Sequence, residues 1–176
     1  MRLALLFILV PSIASADTPL EKVDTLKSPL KLSAPAGWSV HINPPRHPDL
    51  STIASISPAC AGGPDISVMI QLDQKMTKPA QVLADQYKGK KSTKAHGFDC
   101  IVDEPHTEVM CAGTVKGVKG VVTAYFATVG TAPFKRFGDP LELTSQVAAS
   151  LAWSGKLADL AEWQRPATEA AAAACK

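Results

Sequence analysis

The hydrophobic pattern of this chain predicts an α+β fold: an antiparallel sheet of about six strands with two main helices packed against it, in a single domain. Three observations predict it. Gly97 to Gly130 reads as three successive strands, with apolar residues recurring at the strand period of two. Ile66, Val68, Ile70 and Leu72 alternate with Ser67, Met69 and Gln71 in the cleanest single strand of the chain. Two further stretches, after Pro79 and after Pro140, carry apolar residues at spacings of three and four, the mark of helices with one buried face.

Taken in order, Asp17 to Ser28 is polar and reads as a loose lead-in. Leu30, Leu32 and Ala34, the turn Pro35-Ala36-Gly37, and then Trp38, Val40 and Ile42 predict a hairpin or a bent strand pair. Asn43 to Asp49 contains three prolines and must be a loop. Thr52 to Ser57 is a short strand, and ACAGGPD after it a turn. The first helix has Thr77 as a possible cap, Pro79 near its first position, a stripe of Ala80, Leu83, Ala84 and Tyr87, and Gly89 to end it. Lys88 to His96 is a basic connector.

In the hairpin that follows, placing Val102 opposite Val109 also places Cys100 opposite Cys111 and Phe98 opposite Gly113. One face then carries Phe98, Cys100, Val102, Val109 and Cys111. A one-residue slip would turn that whole face outward, so the register is well specified. Val118 to Val129 is apolar on both faces, which suits a central strand. The second helix starts with Asp139 as cap and Pro140 as first residue, with a stripe of Leu141, Thr144, Val147, Ala148 and Leu151. Ser154 and Gly155 break it, Leu157 to Trp163 can resume it, and Pro166 stops it. The chain thus divides into residues 1–16, a lead-in over 17–28, a domain over 29–163 and an Ala-rich tail over 164–176, too short to be a stable helix alone.

The first residues match a secretory signal peptide: Arg2, an apolar run from Leu3 to Val10, and Ala14-Ser15-Ala16 before a cut at Asp17. The run falls far short of the ~20 residues that span a bilayer, and no later segment is apolar enough. A periplasmic or secreted protein with no transmembrane segment is expected. Removing residues 1–16 takes away Arg2 alone among the 18 basic and 16 acidic residues, leaving a formal charge of +1. That balance gives no argument for nucleic acid or for an anionic membrane surface. Four cysteines in an exported chain are most simply two disulfides. The hairpin register favours Cys100 with Cys111, leaving Cys60 with Cys175; Cys175 could instead be a free thiol or an intermolecular link.

The opening LKLSAPAGWSV, with Pro35, Gly37 and Trp38, and the closing Ala148-Ala149-Ser150-Leu151 resemble the PsbP-like superfamily, including its periplasmic DcrB-type members. The resemblance extends as a pattern over roughly residues 28 to 152. It implies an antiparallel sheet with helices packed against it and a non-enzymatic role in binding or assembly, with no catalytic residues to carry over.

Motifs for chemistry are sparse. His41 and His47 are separated by the proline-rich loop, and His96 and His106 flank a strand, with no HExxH and no CxxC, so no metal or other cofactor is expected. A cysteine nucleophile would need a thiolate beside a histidine, as Cys100 with His96 or Cys111 with His106 could supply, but an exported chain favours the disulfide. GxSxG is missing. Lys88, Lys90, Lys91 and Lys94 could meet an acidic partner, yet fit a solvated helix end at least as well. The preferred protein-contact residues are Phe134, Lys135, Arg136 and Phe137, apolar anchors beside cations. The expected function is an exported accessory or assembly factor that binds a protein partner. A periplasmic immunity protein, a small hydrolase or thiol enzyme, and a small-ligand carrier are the alternatives.

Overall fold

The computed structural model describes residues 19–25, 28–47, 49–60, 65–103, 108–129 and 138–173. The α+β class holds, and the sheet is larger than expected. In chain order the elements are β1 (Leu20–Val23), β2 (Leu30–Pro35), β3 (Ser39–Ile42), β4 (Leu50–Ser57), β5 (Asp65–Asp73), α1 (Pro79–Gln86), β6 (Thr93–Ala95), β7 (Phe98–Asp103), β8 (Glu108–Gly113), β9 (Val121–Val129), α2 (Pro140–Ala149), β10 (Ala152–Trp153), a 3-10 turn (Leu157–Asp159), β11 (Trp163–Arg165) and α3 (Glu169–Ala173). Eight strands form one sheet in the order β11-β3-β4-β5-β9-β8-β7-β6, and β1-β2-β10 form a second. All neighbouring strands run antiparallel.

The hairpin has the expected register. Val102 faces Val109 and Cys100 faces Cys111, and the two cysteines are joined by a disulfide with Cα atoms 4.0 Å apart. The Phe98 ring lies over Gly113, occupying the space a Cβ there would need. β9 is central, between β5 and β8.

Four expectations are corrected. The lead-in is not loose throughout, because Leu20 to Val23 pair with β2. Of the hairpin or bent strand pair expected at β2 and β3, the hairpin is excluded: the turn at Gly37 carries the chain from the small sheet into the large one. Gly37 has φ +76°, and a Cβ there would meet the Thr168 side chain, so both backbone sign and space demand glycine. Trp163 does not resume a helix but opens β11, whose Trp163, Gln164 and Arg165 pair with Ile42, His41 and Val40. A three-residue edge strand cannot be read from period two, because it spans less than two repeats. The helix stripes also shift: Leu83 and Tyr87 are buried on the α1 side while Ala80 and Ala84 are exposed, and in α2 Leu143 is buried while Leu141 is only partly so.

The main core lies between the two sheets. Leu30, Leu32 and Ala34 of β2, Val40 and Ile42 of β3, Val68, Ile70 and Leu72 of β5, and Leu143, Val147 and Ala148 of α2 meet there, with Trp38 3% exposed. The α2 cap is as read: the Asp139 carboxylate accepts from the Leu141 amide at 2.8 Å, with Pro140 in the first turn. Ser150, the cap at the other end of α2, accepts from the Ser33 amide at 2.8 Å and fastens the helix end to β2. A second cluster, Leu83, Tyr87, Ile101, Met110, Ala112 and Val121, buries the opposite face of the large sheet beneath α1.

Candidate functional site

The α1 side of the large sheet is where covered and uncovered surface meet. Because directly paired residues share a face, the registers define one row running His41, Ser55, Met69, Tyr125, Met110, Ile101. Ile101 and Met110 are buried under α1. His41, Ser55 and Met69 are only partly buried. The adjoining positions on β3 to β5 are polar: Ser39, Thr52, Ser57 and Ser67, which are short, and the longer Gln71. The outer face of β3, β4 and β5 thus carries mostly hydroxyl groups, with the Gln71 amide, one thioether, one imidazole and, at the start of β4, the exposed side chain of Leu50. The His41 Nε2 lies 3.2 Å from the Glu162 carboxylate at its rim.

A polar cluster marks the border. Tyr87, at the C-terminal end of α1, donates to Glu108 Oε2 at 3.3 Å, and Tyr125 of β9 lies near the same carboxylate. Asp103, paired with Glu108 across the hairpin, is held by Lys90. Burial, reinforced by the Glu108 charge, pushes the Tyr87 phenol up to about 12, and the same causes, burial first, raise Tyr125. Both phenols therefore stay protonated at neutral pH, and Tyr87 acts as a donor. The cluster ties α1 to β7, β8 and β9, and its chemistry is that of a structural clamp.

The basic connector is largely spent on the sheet edge. Lys90 pairs with Asp103 and Lys94 with Asp99, the latter at 2.8 Å, while Lys88 and Lys91 are exposed. His96, in the tight turn before β7 with φ +48°, contacts Glu142 of α2 at 2.7 Å. That hydrogen bond, aided by Gln146, holds the Glu142 carboxyl below its usual range. Among the described residues no three His, Cys, Asp or Glu side chains converge as metal ligands. Cys100 and Cys111 are fully buried and bonded to each other. Cys60 is disulfide-bonded as well; Cys175, its expected partner, lies outside the described residues, as do His106, the segment 1–16 and the contact residues Phe134, Lys135, Arg136 and Phe137.

Sequence reasoning missed the hydroxyl face, although its signal was present. Ser39 and His41, Ser55 and Ser57, and Ser67, Met69 and Gln71 are the polar halves of three alternating runs. Only the strand order shows that the three line up.

Among the described residues no helix is long and apolar enough to cross a membrane. The chain matches no known protein family, no curated protein and no solved structure.

Proposed function

We propose that this protein is an exported, non-enzymatic accessory or assembly factor of the PsbP-like kind, acting by binding another protein. The observation that carries the reading is the unequal covering of the large sheet. Its β7 and β8 end is packed by α1 on one face and α2 on the other, braced by the disulfide and by the clamp at Glu108. Its β3 to β5 end presents a mostly polar face on the same sheet, with Leu50 exposed at one edge. A preorganised surface of short side chains loses little rotamer entropy when a partner seats on it. The buried disulfide and the signal-like opening support export into an oxidising compartment.

The test is quantitative capture by the immobilised protein from the exported fraction of its host. Ser55→Arg and Met69→Arg place long cations in the middle of the face, and Lys91→Glu serves as a distant surface control. The expected outcome is a partner captured by the parent protein and the control but not by the two arginine variants. Capture unaffected by both arginines would remove this face from the function. The partner's chemistry separates the accessory factor from the immunity protein, since the latter retains a toxin.

A further inference from the structure

The C-terminal segment over residues 160–173 lies along the β3 edge of the large sheet and closes the main core on that side. Leu160 and Ala171 belong to that core, and Trp163 packs against it partly buried. β11 pairs with β3, the Arg165 guanidinium donates to the Trp38 carbonyl at 3.0 Å and pairs with Glu21 of β1 at 2.7 Å, and the Thr168 amide donates to the Gly37 carbonyl at 2.8 Å. Each contact is small. β11 has three residues and α3 five, too few for a helix to hold itself.

The end of this segment has a covalent tie within reach. Cys60 is disulfide-bonded, and Cys100 and Cys111 are bonded to each other, which leaves Cys175 of the four cysteines in the chain. The placement agrees. Ser39, two residues after Gly37, pairs with Ser57, three residues before Cys60, so Gly37 and Cys60 lie at the same end of the β3–β4 pair. Ala171 packs at Gly37, its Cβ 3.5 Å from where a Cβ of Gly37 would stand. Cys175 follows Ala173 by two residues, a reach of about 7 Å.

The two bridges differ in access. Cys100 and Cys111 are fully buried within the β7–β8 ladder, whereas Cys60 is only partly buried, just past the end of β4 and next to the exposed Ala59. Exchange requires a thiolate to reach a disulfide sulfur, so a reductant meets one bridge well before the other.

We infer that the C-terminal segment is a redox-sensitive strap: a Cys60–Cys175 disulfide locks it over the β3 edge, and a dithiol reductant opens that bridge while Cys100–Cys111 stays closed. In closing, the two thiols give two electrons and two protons to a disulfide-bearing oxidant, which leaves as a dithiol. Opening is the reverse, with the reductant ending as the disulfide. Once unlocked, the strap is held by its small contacts alone and opens locally ahead of the rest of the fold. The inference rests on the export half of the reading above, which supplies the oxidising compartment, and not on the hydroxyl face.

The test uses the purified, oxidised protein without denaturant. Peptide mapping without reductant is expected to find a crosslink between the peptides of Cys60 and Cys175. Dithiothreitol in rising concentration, followed by alkylation, should label those two cysteines at concentrations roughly tenfold or more below those that label Cys100 and Cys111. When only the first bridge is open, hydrogen exchange of the Thr168 and Ala172 amides, which donate to Gly37 and Thr168, should speed up roughly tenfold or more. The Tyr87 amide, bonded to Leu83 in α1, should not change. Cys60→Ser combined with Cys175→Ser should show the fast exchange without reductant; if that variant does not fold, the selectively reduced parent protein gives the same reading. Cys60 crosslinked to another molecule, all four cysteines labelled together, or unchanged exchange at Thr168 after selective reduction overturns the strap. Any of these with capture at the hydroxyl face retained removes the strap alone. The expected exchange with capture unaffected by Ser55→Arg and Met69→Arg removes the face alone.

Discussion

Met110 and Met69 lie on the same face of the same sheet, in one row with only Tyr125 between them, yet one is 3% exposed beneath α1 and the other stands at the edge of an open surface. The difference is due to what is packed above the strands. Near Met110 the sheet is the middle of three layers, with α1 outside and α2 inside. Near Met69 the inner face is equally apolar, carrying Val68, Ile70 and Leu72, but the outer face has no α1 over it. An antiparallel strand can face solvent on one side, so the fold tolerates the asymmetry.

The comparison can be broken most strongly through the inner face. Trp38→Ala should cost roughly 3–5 kcal/mol in denaturant unfolding, as for a buried core aromatic. A neutral result would mean that the open half is loose on both faces. The direct contrast comes next. Met110→Ala is expected to lose about 2–5 kcal/mol, and Met69→Ala less than about 1 kcal/mol. Equal losses would show that something covers Met69 as α1 covers Met110.

Cys100→Ser combined with Cys111→Ser, closing a sequence separation of 11, should lower stability by about 2–4 kcal/mol. If the melting transition does not move, the disulfide is not what stiffens the closed half. The smallest effect belongs to the clamp. Tyr87→Phe leaves Glu108 with Tyr125 and should cost about 1 kcal/mol, one net hydrogen bond.

The chain has only two tyrosines, and both sit in that clamp, so alkaline titration of the phenolate absorbance reads it directly. A phenol raised to about 12 in the folded state stabilises the protein fully below its ordinary value near 10. That contribution is lost as pH climbs from there through the folded value. Absorbance rising at the ordinary value while the protein is still folded would show that the phenols are not buried against Glu108.

The sequence by itself determined the local structure wherever a pattern repeated: the Cys100–Cys111 register, the β5 alternation, the Asp139–Pro140 helix start and the central place of β9. Each is set by side-chain period or capping chemistry within a dozen residues. Tertiary structure decided the rest, because it depends on which strands become neighbours. β1, β6, β10 and β11 are four residues or fewer, too short to show a period, and exist as strands because a neighbour supplies their hydrogen bonds. Gly37 looked like part of a hairpin turn, and only the packing of Thr168 against it shows the chain changing sheets. Ser39, His41, Ser55, Ser67 and Met69 read as the solvent halves of separate strands. They become one surface only through the order β3-β4-β5 and the placing of α1 at the other end of the sheet, and neither is encoded in any local run of residues.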